Sequence, residues 1–361
     1  MQIALHDRVD SPEPQFDAAS TPSRTLPDAE VTIADVARAA GVSPTTVSHA
    51  LSGNRPVSAA TIARVRRAAD ELGYRPNPMA RGLRTRRTQT AALVIPDITN
   101  PFYPMLARGL QDVLSPAGYH VFVCNTDQDA DLERDLVLDL IQRRVDGIVL
   151  NPFGAIGPAE VNAAIARGIW MVSIGPEIDH DNVDLVEADE RAGARDVAQH
   201  LASLGHTRVA HIGGTARAGR EREQGFRDGL AEAGLELDDT LVVAADWTSD
   251  GGVAAMERLL DAPAGAPTAV FAANDMMAIG ALNAVTARGL RVPEDLSIVG
   301  FDDIDAAAHL SPPLTTVLNP AYAKGEEAGR LVLSRLAGRQ ERRRCITPCS
   351  LVERQSTTHR R

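Results

Sequence analysis

A small all-α unit ahead of a larger α/β core is the fold class this sequence predicts, on three observations. Residues 32–72 carry apolar side chains at helical spacing around a glycine turn. From residue 91 onward, short apolar strands alternate with amphipathic helices, the βαβ rhythm of parallel sheets covered on both faces. At 361 residues and 44% hydrophobic content, the chain is long enough for two or three units with their own cores.

Taken in order, residues 1–30 are rich in Pro, Ser, Asp and Thr and read as a disordered extension. Ile33, Val36, Ala37 and Ala40 then recur at helical spacing, and Gly41 permits a sharp left-handed turn. Ser43 suits an N-cap, Pro44 the first turn, and Val47 and Leu51 the inward face of a second helix. Ala37 is small where the two helices cross. Two crossed helices with a Gly turn form a helix-turn-helix, whose second helix enters the DNA major groove. A plain helical hairpin buried in a core would share the spacing. Against it, Thr45, Thr46, Ser48 and His49 point outward and are short or polar, able to reach base edges or phosphates. A third helix follows: Ser58 caps it, Val57 staples against Ile62, Ile62, Val65, Ala69 and Leu72 form one stripe, and Gly73 closes it.

The overall charge of −11 argues against a nucleic-acid partner, but its distribution reverses that. Residues 31–90 carry ten Arg against three acids, Asp35, Asp70 and Glu71. A basic head on an acidic body is the asymmetry expected when one end meets phosphate. Lys324 is the only lysine, so phosphate contacts fall to Arg and backbone N–H groups.

In the core, strands are expected at 91–95, 119–124, 147–150, 169–173, 208–213, 240–244, 269–273 and 296–300. Helices are expected at 105–114, 132–143, 192–204, 225–233, 252–260 and 276–288. Two parallel sheets of this kind bind ligands beyond the carboxyl ends of their strands. Cys124 reads as a buried thiol, and Cys345 with Cys349 has no further Cys or His cluster to make a metal site. No cofactor is expected. No apolar run approaches the ~20 residues of a membrane span, and no signal-peptide segment is evident, so a soluble cytoplasmic protein is expected. The βαβ region has no Gly-Lys-Ser/Thr, no GxGxxG at its first turn and no assignable triad, so no enzyme is expected.

From Val31 to about Thr357, some nine-tenths of the chain, the sequence resembles the LacI/GalR family of bacterial transcriptional repressors. The resemblance is carried by Thr-Ile-Ala-Asp-Val-Ala, Ala-Gly-Val-Ser and Thr-Val-Ser within 32–48, and by Gly-Tyr-Arg-Pro-Asn at 73–77. Val-Ile-Pro-Asp-Ile-Thr-Asn-Pro-Phe at 94–102, Leu-Gly-His at 204–206 and Ala-Asn-Asp-Met-Met-Ala-Ile-Gly at 273–280 continue it. Val-Gly-Phe-Asp-Asp at 299–303 and Pro-Leu-Thr-Thr-Val at 313–317 complete the series. It implies an all-α helix-turn-helix headpiece (31–76), a hinge (77–89) and an α/β two-lobed, periplasmic-binding-protein-like core (90–361). The core would hold two parallel doubly wound sheets joined by three crossovers. Its first lobe would take about 90–187 and 318–345, and its second about 188–317 and 346–357.

By this resemblance, Thr32, Ser43, Pro44, Thr45, Thr46, Ser48 and His49 contact DNA. Most relatives carry Arg where His49 stands; His49 either reads a base or packs and touches phosphate. Asn77, Ala80, Leu83 and Arg84 match a hinge helix too short to hold alone in water, which would fold over the operator centre with Leu83 wedged into the minor groove. Two half-sites imply a homodimer on a palindromic, double-stranded operator. A small polar effector would lie between the lobes, held by Asp97, Asn100, Phe102 and Tyr103 of the first and Arg222, Trp247, Asn274 and Asp302 of the second. Carboxylates and Asn suit paired hydroxyls, an Arg fork suits oxygens, and Trp247 suits a pyranose face, so a sugar is the first reading. Asn274 and Asp302 also fit helix or loop caps, the lesser reading, Arg222 fits a solvated face, and Phe102 and Tyr103 fit core closure. Gly175, ending the fourth strand where several sugar-responsive relatives are polar, implies a roomier pocket. A purine or nucleoside, stacked on Phe102 and Tyr103, is the second reading, and a sugar-binding protein without a regulatory role the third.

Overall fold

The computed structural model describes residues 31–52, 55–75, 87–176, 178–263 and 265–360. The expected extension 1–30 and the hinge candidates Asn77, Ala80, Leu83 and Arg84 lie outside the described residues. The chain divides into two units, Met1–Pro78 and Met79–Arg361.

The first unit holds α1 (Ile33–Ala40), α2 (Pro44–Ser52) and α3 (Ala59–Glu71). Each start is fixed by a side chain that satisfies an N–H left free by the helix. Thr32 and Asp35 form a reciprocal capping box, Ser43 Oγ accepts from Thr46 N at 3.1 Å, and Ser58 Oγ accepts from Thr61 N at 3.3 Å. Gly41 turns the chain at φ +64° and its N–H returns to Ala37 and Arg38. Val36, Ala37, Ala40, Val47, Ala50, Val65, Ala68 and Ala69 make the core, with Ile62, Val57 and Leu51 at its margin.

Among the described residues the second unit contains two parallel sheets. In the first, β1 (Thr90–Ile95), β2 (His120–Asn125), β3 (Gly147–Leu150), β4 (Trp170–Ile174), β5 (Val183–Ala188) and β11 (Arg344–Thr347) lie in the order β11-β5-β4-β3-β1-β2. Helices α4 (Phe102–Leu114) and α11 (Ala321–Leu336) cover one face, α5 (Ala130–Gln142) and α6 (Pro158–Ile165) the other. The crossing of α4 and α11 is a backbone contact: a methyl on Gly109 would sit 2.0 Å from the Tyr322 carbonyl oxygen, and one on Gly325 2.1 Å from that of Leu106. In the second sheet, β6 (Val209–Gly214), β7 (Val242–Ala245), β8 (Ala269–Ala272) and β9 (Ser297–Val299) lie in the order β7-β6-β8-β9. It packs between α7 (Glu190–Ser203) with α8 (Arg217–Glu232), and α9 (Ser249–Leu260) with α10 (Asp275–Ala287). A short antiparallel pair, β10 (Thr316–Leu318) with β12 (Ser350–Val352), completes the second lobe.

The chain passes between lobes three times, after β5, between β10 and α11, and between β11 and β12. Strand β11 reaches Thr347, so the expected lobe boundary at 345 falls inside it. Every expected strand and helix has a counterpart, but β5, β10, β11, β12, α6 and α11 had no expected element. Cys124 corrects another expectation: it is half-buried, because β2 is an edge strand bonded on one side only and Phe122 is 55% exposed.

Two of the polar groups buried within these layers bear directly on stability. Asp184 on β5 takes both Nε and Nη2 of Arg335 at 2.9 Å, Nη2 of Arg339 at 2.6 Å and the Arg343 N–H at 2.7 Å. Burial pushes its carboxyl up, but these donors outweigh burial and hold it below the ordinary value. His211 on β6 stacks on Phe271 at 4.9 Å, with Nδ1 bonded to the Phe271 carbonyl at 3.0 Å. Full burial drives its pKa down to about 4. The folded state therefore excludes a proton that the unfolded chain accepts near 6.5, and stability is lost as pH falls from 6.5 toward 4. The shift is worth about 3 kcal/mol. Urea midpoints measured across that range should fall more steeply for the native chain than for His211→Phe; parallel curves would refute the assignment.

Candidate functional site

The carboxyl ends of both sheets face one cavity of about 290 Å³. All eight residues expected at the effector site line it: Asp97, Asn100, Phe102 and Tyr103 from the first lobe, Arg222, Trp247, Asn274 and Asp302 from the second. They do so in different ways. Asp97 Oδ1 accepts from Thr99 N at 2.8 Å and Thr99 Oγ1 at 2.6 Å, while Asn100 Oδ1 accepts from Phe102 N at 3.0 Å. Phe102 is only 7% exposed and packs in the first-lobe core, edge-on to Tyr103 at 5.3 Å.

In the second lobe, Asn274 both caps and lines. Its Oδ1 accepts from Met277 N at 2.8 Å to start α10, and its Nδ2 donates to the Trp247 carbonyl at 2.9 Å. That bond fixes the carbonyl of a residue at φ +71°, a conformation L residues rarely adopt. The indole lies flat against Gly214, where a Cβ would come 2.0 Å from Trp247 Cζ2. A glycine at the end of β6 is what makes room for the ring on the cavity wall.

Arg222 lines the cavity but is not on a solvated face. It is 4% exposed rather than solvated, and its guanidinium is engaged by the protein. Nε donates to Glu190 at 2.5 Å, Nη2 to Asp302 at 3.3 Å and Nη1 to the Ala273 carbonyl, with the Phe301 ring 3.8 Å away. Burial opposes its charge, yet the two carboxylates outweigh burial and raise its pKa. Asp302, at φ +115°, also accepts from Asn319 Nδ2 at 3.0 Å. Burial raises its pKa, against the pull of Arg222 and Asn319. Its neighbours Asp275 and Asp303 serve the fold: Asp275 accepts from Thr316 Oγ1 and Ile304 N, and Asp303 pairs with Arg354 at 2.7 Å.

Sequence reasoning missed Glu190, Asn319, Lys324 and the Glu187–Arg344 pair, all on the cavity wall. They stand on or beside β5, α11 and β11, elements without an expected counterpart. A lone lysine was the available signal for Lys324. Among the described residues no cluster of His, Cys, Asp and Glu is placed to hold a metal, and no helix is long and apolar enough to cross a membrane.

In the first unit, Thr32, Ser43, Pro44 and Thr45 are exposed, and Thr46, Ser48 and His49 are half-buried at the margin of α2. Thr32, Ser43 and Thr46 also serve capping: Thr32 Oγ1 donates to Asp35 at 2.6 Å, and the hydroxyls of Ser43 and Thr46 bond at 2.9 Å. The Thr32 hydroxyl, its backbone N–H and Arg38 hold the Asp35 carboxyl below its usual range. Val47, between the outward residues, is fully buried.

A family profile described as "Bacterial regulatory proteins, lacI family" matches residues 32–77, and one described as "Periplasmic binding protein-like domain" matches 198–357. The chain is 37% identical to the HTH-type transcriptional regulator DegA of Bacillus subtilis over 336 residues, 91% of this chain and 98% of that protein. Among solved structures it is similar to a transcriptional regulator CelR–cellobiose complex, at 36% identity and TM-score 0.68, covering 90% of this chain and 99% of that one. It is also similar to the lac repressor dimer bound to operator and the anti-inducer ONPF, at 27% identity and TM-score 0.80, covering 91% and 99%. The chain belongs to the lacI family of bacterial regulatory proteins, transcriptional regulators rather than enzymes.

Proposed function

We propose that this chain is a repressor that binds a palindromic operator as a homodimer and releases or grips it in response to a sugar in the inter-lobe cleft. The observation that carries the sugar reading is the convergence of Asp97, Asn274, Asp302 and the flat indole of Trp247 on one cavity: polar groups for hydroxyls beside a ring for a pyranose face. Phe102 is packed into the core, which removes much of the stacking surface that a purine would need. The CelR–cellobiose likeness supports a sugar, and the operator-bound lac repressor supports a dimer on DNA. Apolar Ile98, Met105 and Phe122, each at least half exposed on the β1–α4–β2 unit, offer a surface for the second copy. The effector acts by binding one arrangement of the lobes more tightly than the other. Thr45 and His49 are proposed to meet base edges, and Thr32, Ser43, Pro44, Thr46 and Ser48 to set the helix against phosphate.

Calorimetry with cellobiose, glucose, ribose and adenosine tests the effector class, and adenosine binding without sugar binding would reject it. Operator selection from random duplex, followed by fluorescence anisotropy, tests the DNA reading. Val47→Asp places a carboxylate in the headpiece core and should lower affinity for the selected site about a thousandfold or more, to the nonspecific level. Sugar binding by the second unit should persist in that variant. Undiminished site-specific binding would refute the assignment of α2.

A further inference from the structure

Lys324 is the only lysine of the chain, and folding places it in the first turn of α11, 3% exposed, on the wall of the cleft. An ammonium carries three N–H donors. Among the described residues one is used, donating to Asn319 Oδ1 at 3.3 Å. Asn319 is held in that orientation because its own Nδ2 donates to Asp302 at 3.0 Å. The Phe102 ring, 5.3 Å from Nζ, closes another side. No ion pair forms at Nζ among the described residues, whereas Arg222 meets Glu190, Asp302 and the Ala273 carbonyl. Donors are therefore open on the lysine, and a buried donor without an acceptor is costly until a ligand supplies one.

Charge narrows what that ligand is. Around Nζ, Arg222 and a protonated Lys324 stand against Glu190 and Asp302, and the rest of the lining sets Asp97, Glu187, Asp189 and Glu221 against Arg191, Arg217 and Arg344, so the cavity is close to balanced. A neutral ligand preserves the balance; a carboxylate or phosphate would tip it and crowd the two acids. We propose that Lys324 is a specificity-determining residue whose ammonium donates to a hydroxyl, ring or glycosidic oxygen of a neutral sugar. The proposal rests on the reading of the cleft as a sugar site.

The groups facing Nζ are Glu190 on α7, Arg222 on α8, Asp302 after β9, Asn319, the Cys349 thiol and the Phe102 ring, with Tyr103 beside Phe102 on the same wall. Burial lowers the lysine pKa from its ordinary 10.5 and pushes Cys349 up to about 12, so the lysine loses its proton before that thiol. Affinity should accordingly fall at alkaline pH, as the ammonium loses its proton below the ordinary lysine range. Tyr103 is common to the native chain and to a lysine variant, so their difference isolates Lys324.

The test is calorimetry of the full chain with ribose, glucose and cellobiose between about pH 6.5 and 10. Lys324→Met, Lys324→Arg and the native protein carrying nitrogen-15 lysine are compared. Whichever sugar the native chain takes should bind roughly tenfold to a hundredfold more weakly to Lys324→Met, with the alkaline fall abolished. Lys324→Arg should keep part of the affinity without the fall. The single side-chain lysine resonance should move on adding sugar, a readout that needs no variant to fold. The matching sugar acid or sugar phosphate should bind the native chain more weakly than the neutral sugar. Equal affinity and pH profile in Lys324→Met, or an unmoved lysine resonance in sugar-bound native protein, would overturn the role of Lys324 and leave the sugar site standing. Native protein that binds none of the three sugars would overturn both.

Discussion

Asp184→Ala should destabilise the first lobe by about 3–5 kcal/mol, the usual cost of removing one member of a buried ion pair. The cost comes from the partners left behind. Arg335 is inaccessible to solvent, and its Nε and Nη2 both end on this carboxylate, as do two nitrogens of Arg339 and the Arg343 N–H. Removing the acid strands a guanidinium that water cannot reach. Against a typical domain stability of about 5–15 kcal/mol, such a loss brings the lobe near its folding threshold. A urea titration followed by tryptophan emission would report it, because Trp170 stands 4.9 Å from the Arg335 guanidinium. Asp184→Leu combined with Arg335→Met should recover much of the loss, since apolar replacement of both partners removes the stranded charge. A midpoint unchanged in Asp184→Ala would defeat this account.

With the cleft a sugar site as proposed, Gly214→Val should abolish most sugar affinity while leaving the headpiece untouched. A Cβ at 214 would lie 2.0–2.6 Å from three atoms of the Trp247 ring, so the indole must leave its place. Its backbone cannot follow easily, because Asn274 holds the Trp247 carbonyl and Asp246 Oδ1 ties the next turn through Thr248. An anchoring aromatic is worth about 2 kcal/mol or more at an interface, some thirtyfold in affinity. Calorimetry with the sugar bound by the native chain would measure the loss, and retained affinity would show that Trp247 does not stack. Binding of operator without sugar serves as the control.

The headpiece was readable almost residue by residue because its determinants are local. Capping by Ser43 and Ser58, the Gly41 turn and the spacing of Val36, Ala37, Ala40 and Val47 each act within a few residues. The Thr32–Asp35 capping box is equally local, yet Thr32 is expected only as a DNA contact. In the core, β5 escaped because Val183-Asp-Leu-Val-Glu-Ala interrupts its apolar run with acids. Those acids are buried only because Arg335, Arg339 and Arg344 arrive from more than 150 residues away. Helix α11 escaped similarly: its inward face contains Lys324 and Arg335, which periodicity assigns to solvent. The eight expected cleft residues were legible through strand-end position and family register, whereas Glu190 and Lys324 depend on the crossovers. The fate of Arg222 was not legible either. Composition cannot distinguish a solvated arginine from one pinned between Glu190 and Asp302.

Asp302, Asn319, Lys324 and Glu190 all stand on or next to the segments by which the chain changes lobes. A ligand held by these four residues would rest on the axle rather than on the rims. Substitutions that retune which molecule is recognised will also alter the resting angle of the two halves, so selectivity and set-point are not independently adjustable in this regulator. Diversification toward a new signal would then require compensating changes at the pivot before a useful response range returned.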